Sequence, residues 1–149
     1  MKGKLTQYLA YLMVFTMVSA GTAVGAGYTD NEDGTVTDNV TGLIWPQTND
    51  DTTRNWEAAL SYCEGLVFAD VSDWRLPNIR ELESIVDIAL ENPAIDSLFS
   101  GTDSSYYWSS TTYVSDPDNE AWAVDFNDGD PDHVDKSGEY HVRCVRGVQ

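Results

Sequence analysis

The first feature in the pattern of apolar and polar residues is an apolar segment near the N-terminus. Lys2 and Lys4 precede the run LAYLMVFTMVSA, and the small residues Val24 and Ala26 follow it. A basic start, a short apolar centre and small residues before a cleavage point are typical of a secretory signal peptide. We therefore predict a signal peptide over residues 1–26 and a single domain over residues 27–149. An uncleaved membrane anchor is the alternative, because the uncharged run is long enough to span a bilayer.

Two short strands and then two helices are predicted in the first part of the domain. TVT and LIW supply β-forming residues between glycine-containing turns. In NWEAALSYCEGL, apolar residues recur at helical spacing after Asn55, a residue type that favours the N-cap. The same spacing continues through PNIRELESIVDIAL as far as Leu90, and Asn78 and Glu81 have the spacing of a capping box.

The last third of the chain is predicted to be β-rich. SSYYWSSTTY has strand-forming composition, and AWAVDF alternates so that Trp122, Val124 and Phe126 share one face. YHVRCVRG alternates as well, which directs Cys144 inward, toward the helix that contains Cys63. We therefore predict an α+β fold in which two helices pack on antiparallel strands.

The two cysteines, Cys63 and Cys144, are the only ones in the sequence. In an exported chain the default for such a pair is a disulfide bond. Closing a loop of about 80 residues would stabilise the fold by roughly 3 to 5 kcal/mol in the chain-entropy model. A free catalytic thiol is the alternative.

Charge limits the partners that this domain can have. The predicted domain carries all 25 acidic residues and six of the eight basic ones, a formal charge of about −19. A surface this acidic repels polyanions and attracts cations. We therefore expect no nucleic-acid partner and disfavour sulfated polysaccharides.

Six blocks of the sequence carry a family resemblance: DGTVTDNVTGLIW, NWEAALSYCEGL, SDWRLPNIRELESIVD, YYWSSTTY, AWAVDF and YHVRCVRG. In this order they resemble the Lcl C-terminal domain family, once catalogued as a domain of unknown function. The resemblance implies a C-type-lectin-like fold, in which a disulfide joins an early helix to the final strand. It also implies extracellular recognition, since such domains occur in exported bacterial proteins, including the adhesive tip of a collagen-like surface protein.

Two departures limit what this resemblance implies. The chain lacks the Gly-X-Y tract of the collagen-like protein, so trimerisation by that route is excluded. The glycosaminoglycan binding of that adhesin disagrees with the acidic charge of this domain. The block WRLPNIRELE is also similar to a segment of the formylglycine-generating enzymes, but their oxidation chemistry uses reactive cysteines, which a disulfide would occupy.

The segment DGDPDHVDKSGE has acidic residues at positions that resemble a calcium-binding loop. His133 stands where such a loop has glycine, and Pro131 stiffens its centre, so a polar hairpin loop is the alternative. Calcium is therefore a candidate cofactor, with four predicted ligands: Asp128, Asp130, Asp132 and Glu139. A zinc site that uses His133 and His141 lacks the spacing of zinc motifs.

No residue is predicted to be catalytic. The nucleophile elbow G-x-S-x-G is absent, and no pair of carboxylates stands out among the acidic residues. Arg75 and Arg143 are expected to pair with carboxylates inside the fold. We expect most of the large aromatic residues in the core and any exposed set to be the binding candidate: Trp45, Trp56, Trp74, Trp108, Trp122, Tyr106, Tyr107 and Tyr113.

These observations favour a recognition function over catalysis. We predict an exported bacterial module, periplasmic, on the cell surface or secreted, that binds an extracellular carbohydrate or protein with calcium as a candidate aid. The alternative is a structural or protein-interaction subunit of a cell-surface assembly without a small ligand, and an enzyme is disfavoured. No membrane span is expected after cleavage, and the sequence does not predict the oligomeric state or the identity of the ligand.

Overall fold

The first sheet is built from the start of the described chain. The computed structural model describes residues 24–25 and 27–147. Four antiparallel strands follow in chain order: β1 Val24–Gly25, β2 Tyr28–Asp30, β3 Thr35–Asp38 and β4 Ile44–Pro46. The two strands predicted from TVT and LIW are confirmed. The predicted signal peptide, residues 1–26, lies outside the described residues apart from Val24 and Gly25, so the cleaved leader stays a prediction.

Both predicted helix starts are confirmed by their caps. Helix α1, Trp56–Gly65, begins after Asn55, whose side chain accepts a 2.9 Å hydrogen bond from the amide of Ala58. Helix α2, Ile79–Glu83, begins with a capping box. The Asn78 side chain accepts from the amide of Glu81 at 3.0 Å, and the Glu81 carboxylate accepts from the amide of Asn78 at 2.8 Å.

Helix α2 is much shorter than its apolar pattern predicts. It ends at Glu83 rather than near Leu90, and only the first part of the stripe is buried. Beyond the helix, Val86 forms an antiparallel bridge with Ile95, and the amide of Asp87 donates to the carbonyl of Ala94 at 2.9 Å. After Glu83 the backbone therefore forms hydrogen bonds with residues outside the helix instead of continuing the helical pattern. Sequence periodicity does not reveal these bonds.

The second sheet contains three antiparallel strands in the order β5–β6–β7. They are β5 Tyr106–Thr112, β6 Glu120–Asp125 and β7 Pro131–Asp135. The prediction that residues 128–139 are a loop joining two strands is wrong, because residues 131–135 pair with β6 along their whole length. Side chains in this segment therefore alternate between the two faces of the sheet.

The C-terminal segment, residues 140–147, is predicted as an antiparallel strand but forms isolated bridges instead. Arg146 pairs with Ile44 of the first sheet, whereas His141 pairs in parallel with Tyr107 of the second. The prediction is wrong because the backbone partner changes every few residues, so no ladder continues. The predicted side-chain alternation is correct, since Val142 and Cys144 are buried together.

Apolar clusters cover both faces of the second sheet. One cluster contains Tyr107, Val124 and Phe126, together with residues of the first sheet and of the region around α2. The other contains Trp108 together with residues of α1 and of the C-terminal segment, residues 140–147. Tyr107 and Trp108 thus face opposite sides of the sheet. Of the three residues predicted to share one face of a strand, Val124 and Phe126 are buried, whereas Trp122 is only half-buried.

The predicted disulfide between Cys63 and Cys144 is confirmed, and it joins α1 to the C-terminal segment across 81 residues. The small α+β fold with two helices and antiparallel sheets is thereby confirmed as well. In the part of the chain that the structure describes, neither helix has the length and apolar character needed to cross a membrane.

Candidate functional site

The second sheet presents three half-buried aromatic side chains on one face. Tyr113 directly follows β5, Trp122 lies in β6, and His133 lies opposite Trp122 in β7. Antiparallel pairing brings these three rings together from positions 20 residues apart in the chain. We call Tyr113, Trp122 and His133 the aromatic surface.

The rings of the aromatic surface contact one another in defined orientations. His133 stacks on Tyr113 with ring centroids 3.9 Å apart and an interplanar angle of 2°. Trp122 stands edge to face against both, with centroids 5.5 Å from Tyr113 and 5.8 Å from His133. Such contacts stabilise aromatic pairs by about 0.5–1.5 kcal/mol beyond burial and therefore hold the rings in place.

A carboxylate orients the imidazole of this surface. Glu120 Oε2 lies 2.9 Å from His133 Nδ1, and both side chains are partly exposed. The strand pairing places Glu120 beside His133, because Trp122 lies opposite His133 and Glu120 comes two residues earlier on the same face. The stack therefore has a polar, charged rim.

A shallow groove of about 200 Å³ runs between Trp122 and helix α2. Arg80 and Glu83 form an ion pair on its helical side at 3.0 Å, and the Arg80 side chain is 86% exposed. We call this the α2 groove, with five lining residues: Ile79, Arg80, Glu83, Trp122 and Pro131. The ring of Trp122 and the charged groups of Arg80 and Glu83 thus border one open concavity, a combination found in small-ligand sites.

The four predicted calcium ligands are not gathered around one point. Asp128 accepts from the amide of Asp130 in the turn before β7, and Asp132 lies within β7 near the hydroxyl of Tyr106 at 3.5 Å. Glu139 follows β7 after the turn at Ser137 and Gly138. Among the described residues, no group of three or more His, Cys, Asp or Glu side chains is arranged to hold a metal ion. Calcium binding stays a prediction without geometric support.

The two histidines lie in different environments. His133 belongs to the aromatic surface, whereas His141 stacks on Tyr107 with centroids 5.1 Å apart. Asp103 Oδ2 lies 3.5 Å from His141 Nδ1, and this nitrogen has no hydrogen-bond partner. The structure therefore does not bring the two imidazoles together as a zinc site.

The two arginines expected to pair with carboxylates behave differently. Arg75 donates to both carboxylate oxygens of Glu81, at 2.7 and 2.6 Å, so its pairing is confirmed, but its side chain is 44% exposed and the pair lies at the surface rather than inside the fold. Burial by itself would raise the pKa of Glu81, but hydrogen bonds from Arg75 and the Asn78 amide outweigh it and lower that pKa. Arg143 donates only to neutral oxygens, so its predicted pairing is wrong.

Each member of the aromatic surface stands out in the sequence, but the sequence does not predict that the three lie together. The sequence predicts Trp122 inside the core, and it offers His133 as a departure from a calcium loop or as half of a zinc site with His141. Val134 faces the apolar cluster near α1 while His133 faces the opposite side, which is the two-residue period of a strand. This alternation is a signal from which strand β7 could be predicted, but the acidic residues in the same segment favour a loop.

Comparison with known proteins assigns the chain to a domain family. None of the curated proteins that were compared matches the chain. The family model described as the Lcl C-terminal domain matches residues 34–146, which is most of the chain and includes both helices, the disulfide and the aromatic surface. The chain therefore belongs to the Lcl C-terminal domain family.

Proposed function

We propose that this chain is an exported recognition module that binds an extracellular carbohydrate or protein ligand through the aromatic surface and the α2 groove. The observation that carries the proposal is the convergence of three ring systems, half-exposed, beside an open groove with charged groups. Three of the other four tryptophans are buried in the core, and Trp56 is half-buried at the start of α1. Trp45, Trp74 and Trp108 are at most 2% exposed, whereas Trp122 is accessible.

The chemistry of the aromatic surface suits a sugar. A pyranose has apolar C–H faces that can pack on a flat ring and hydroxyl groups that need hydrogen-bond partners. Trp122 provides a ring, while Arg80 and Glu83 on the opposite wall provide donors and acceptors. Because charged groups make the stronger hydrogen bonds, they would select the orientation of the hydroxyls.

The C-type-lectin-like relationship is part of the same proposal. A disulfide between the first helix and the C-terminal segment, two helices and two antiparallel sheets are compatible with that fold. Export is supported by the disulfide itself, because such bonds persist in oxidising compartments. The acidic charge of the domain favours neutral or cationic ligands over polyanions.

A glycan array, run in calcium and in chelator, tests the carbohydrate version. We expect binding by the wild-type chain and a loss of at least about tenfold in Trp122→Ala, which corresponds to about 1.4 kcal/mol. Trp122→Phe is the matched control, since it retains a ring and should retain more of the binding. Absence of binding to every glycan, with the folded state verified by circular dichroism, would contradict the carbohydrate version.

A second candidate function is a subunit of a cell-surface assembly. Val114, next to Tyr113, is 86% exposed and extends the aromatic surface with an apolar side chain, as a protein interface would. A photo-crosslinking amino acid at position 114 should then capture one defined envelope protein. The same amino acid at the exposed position of Glu64 on α1 is the control, and equal capture from both positions would count against this candidate.

A further inference from the structure

Strand β7 forms the open edge of the second sheet. The strand order is β5–β6–β7, so β7 has a strand partner on one side only. The opposite edge, along β5, is covered by other parts of the chain. There the amide of Trp108 donates to the carbonyl of His141 at 3.0 Å. The amide of Ser110 donates to the carbonyl of Pro77 at 2.7 Å. An uncovered edge presents backbone N–H and C=O groups that can pair with a strand of another chain.

The register of β6 and β7 decides which backbone groups lie on this edge. In an antiparallel pair, residues that exchange hydrogen bonds with the partner strand alternate with residues whose N–H and C=O groups point away from it. The amide of Lys136 donates to the carbonyl of Asn119 at 2.8 Å. At the other end of the pairing, the amide of Asp125 donates to the carbonyl of Asp130 at 2.9 Å. The even-numbered residues of this segment therefore bond to β6, and three residues point their backbone groups outward: Pro131, His133 and Asp135.

The side chain of Asp132 closes the centre of this edge. Its Oδ1 accepts a 2.8 Å hydrogen bond from the outward amide of His133. Its Oδ2 lies 3.5 Å from the hydroxyl of Tyr106, a second contact that orients the carboxylate. A strand that pairs with β7 needs the His133 amide as a donor. The Asp132 carboxylate therefore has to leave this amide before another strand can bind there.

The two ends of this edge are complementary to each other. Pro131 has no N–H, so it offers only its carbonyl. The carbonyl of Asp135 already accepts from the amide of Gly138 at 2.9 Å, so Asp135 offers only its N–H. Among residues 27–147, no backbone hydrogen bond outside the pairing with β6 uses the carbonyls of Pro131 and His133 or the amide of Asp135. The edge therefore has an unused acceptor at one end and an unused donor at the other.

A second copy of β7 fits this edge in one register. When two copies run antiparallel about a twofold axis at His133, the two His133 residues exchange their N–H and C=O groups. The same register places the Asp135 amide of each copy opposite the Pro131 carbonyl of the other. Two bonds at His133 and one at each end then use every outward group of the edge. Lys136 lies opposite Asp130 of the second copy, and such pairs of opposite charge stabilise antiparallel strands.

We propose that β7 is a dimerisation edge for a second copy of this chain and that the Asp132 carboxylate holds it closed. With the His133 amide occupied, the two central bonds of the pairing cannot form. Repulsion between two acidic copies opposes the contacts that remain. Twofold pairing uses the edge of both copies, so assembly ends at a dimer. The proposal concerns the backbone of β7 and does not depend on ligand binding at the aromatic surface or in the α2 groove.

Sedimentation velocity on the full chain, in sodium chloride that screens the acidic charge, tests the proposal. Asp132→Ala removes the acceptor, and we expect it to form dimers with a Kd at least about tenfold lower than that of the wild type. Asp132→Val also lacks an acceptor and has a strand-forming side chain, so it should dimerise as well. Asp132→Asn keeps an oxygen that can accept from the His133 amide and should behave as the wild type. Glu64→Ala, at an exposed position on α1, removes the same charge without touching β7 and should also behave as the wild type.

Amide hydrogen exchange locates the contact between the two copies. In the Asp132→Ala dimer, the amides of His133 and Asp135 should exchange at least about tenfold more slowly than in the dilute monomer. The proposal is overturned if Asp132→Ala and Asp132→Val, shown to be folded by circular dichroism, associate no more than the wild type. Equal dimerisation of Asp132→Asn or Glu64→Ala would overturn it as well, because charge alone would then explain the effect. A dimer in which both amides exchange as fast as in the monomer would place the contact elsewhere and would also overturn it.

Discussion

His133 and Tyr113 lie face to face, with ring centroids 3.9 Å apart and planes within 2° of parallel. The pair joins β7 to the end of β5 across β6, so it holds the outer strand against the rest of the second sheet. Half-buried stacking of this kind stabilises the sheet and fixes the positions of the two rings.

Replacing the imidazole tests the contribution of this stack. His133→Ala removes both the stack and the contact with Glu120, and we expect a loss of about 1–2 kcal/mol in the free energy of unfolding. His133→Phe preserves the stack and should lose less. Urea unfolding measures both variants, and equal losses would show that the ring contact contributes nothing.

Removing the disulfide should destabilise the domain strongly. The bond closes a loop between residues 81 positions apart, and we expect Cys63→Ala with Cys144→Ala to lose roughly 3 to 5 kcal/mol. Urea unfolding with and without reductant measures this loss. Reductant should destabilise the wild type but not the double variant, and stability unaffected by reductant in both would contradict the prediction.

The Arg75–Glu81 ion pair predicts a pH dependence. Because the pKa of Glu81 is lowered in the folded state, its contribution is present above the ordinary carboxyl pKa and is lost as pH falls through the lowered value. Arg75 is 44% exposed, so solvent screening limits the contribution to about 0.5–1 kcal/mol.

Two substitutions at Glu81 separate its two roles. Glu81→Gln keeps a hydrogen-bond acceptor for the capping box and removes the charge, whereas Glu81→Ala removes both. At pH 7 the Gln variant should be less stable than the wild type, and the difference should shrink as pH falls below the ordinary carboxyl pKa. Urea unfolding over a series of pH values from 7 downward is the measurement, and a difference that does not shrink would rule out the ion pair as its cause.

Three glycines allow backbone strain to be separated from steric overlap. Gly129 has φ +89°, and a Cβ there would overlap Val86 Cγ1, so Gly129→Ala should cost more than about 2 kcal/mol. Gly42 has φ +73° with nothing near, so Gly42→Ala should cost about 1 kcal/mol. Gly65 ends α1 without crowding, and Gly65→Ala should be neutral or stabilising. Thermal melting of the three variants checks the order.

Calcium should leave the stability of the chain unchanged. The predicted ligands are Asp128 and Asp130 in the turn before β7, Asp132 within β7, and Glu139, four residues after its end. Among the described residues, no three or more acidic, His or Cys side chains are grouped to hold an ion. We expect equal Tm in millimolar calcium and in chelator, with magnesium as the control for ionic strength. A rise specific to calcium would mean that the segment rearranges around the ion.

Local features of the fold were predictable because they depend on neighbouring residues. Asn55, and Asn78 with Glu81, mark the starts of both helices through side chains that reach three residues along the chain. Their ends were less predictable. The apolar pattern continues past Glu83, but the pairing of Val86 with Ile95 ends the helix.

The candidate sites depended on contacts between distant residues. Tyr113, Trp122 and His133 form one surface only because residues 131–135 pair with β6, and an acidic composition concealed that strand. Arg143 was expected beside a carboxylate, since most buried arginines have one. Its neighbours are the backbone carbonyls of Pro46 at the end of β4 and of Gln47 after it, 97 and 96 residues away in sequence, and no local pattern predicts such contacts.

The sequence by itself determined the family, the helix starts, the inward orientation of Cys63 and Cys144 and the acidic charge, because motifs, caps, side-chain alternation and composition are local or additive properties. Tertiary structure alone decided that β7 exists, that α2 is short and that Arg143 is buried without a counterion. In each case the backbone could form hydrogen bonds to nearby or to distant residues. Packing of side chains from distant parts of the chain decides between the two, and no short stretch of sequence contains that information.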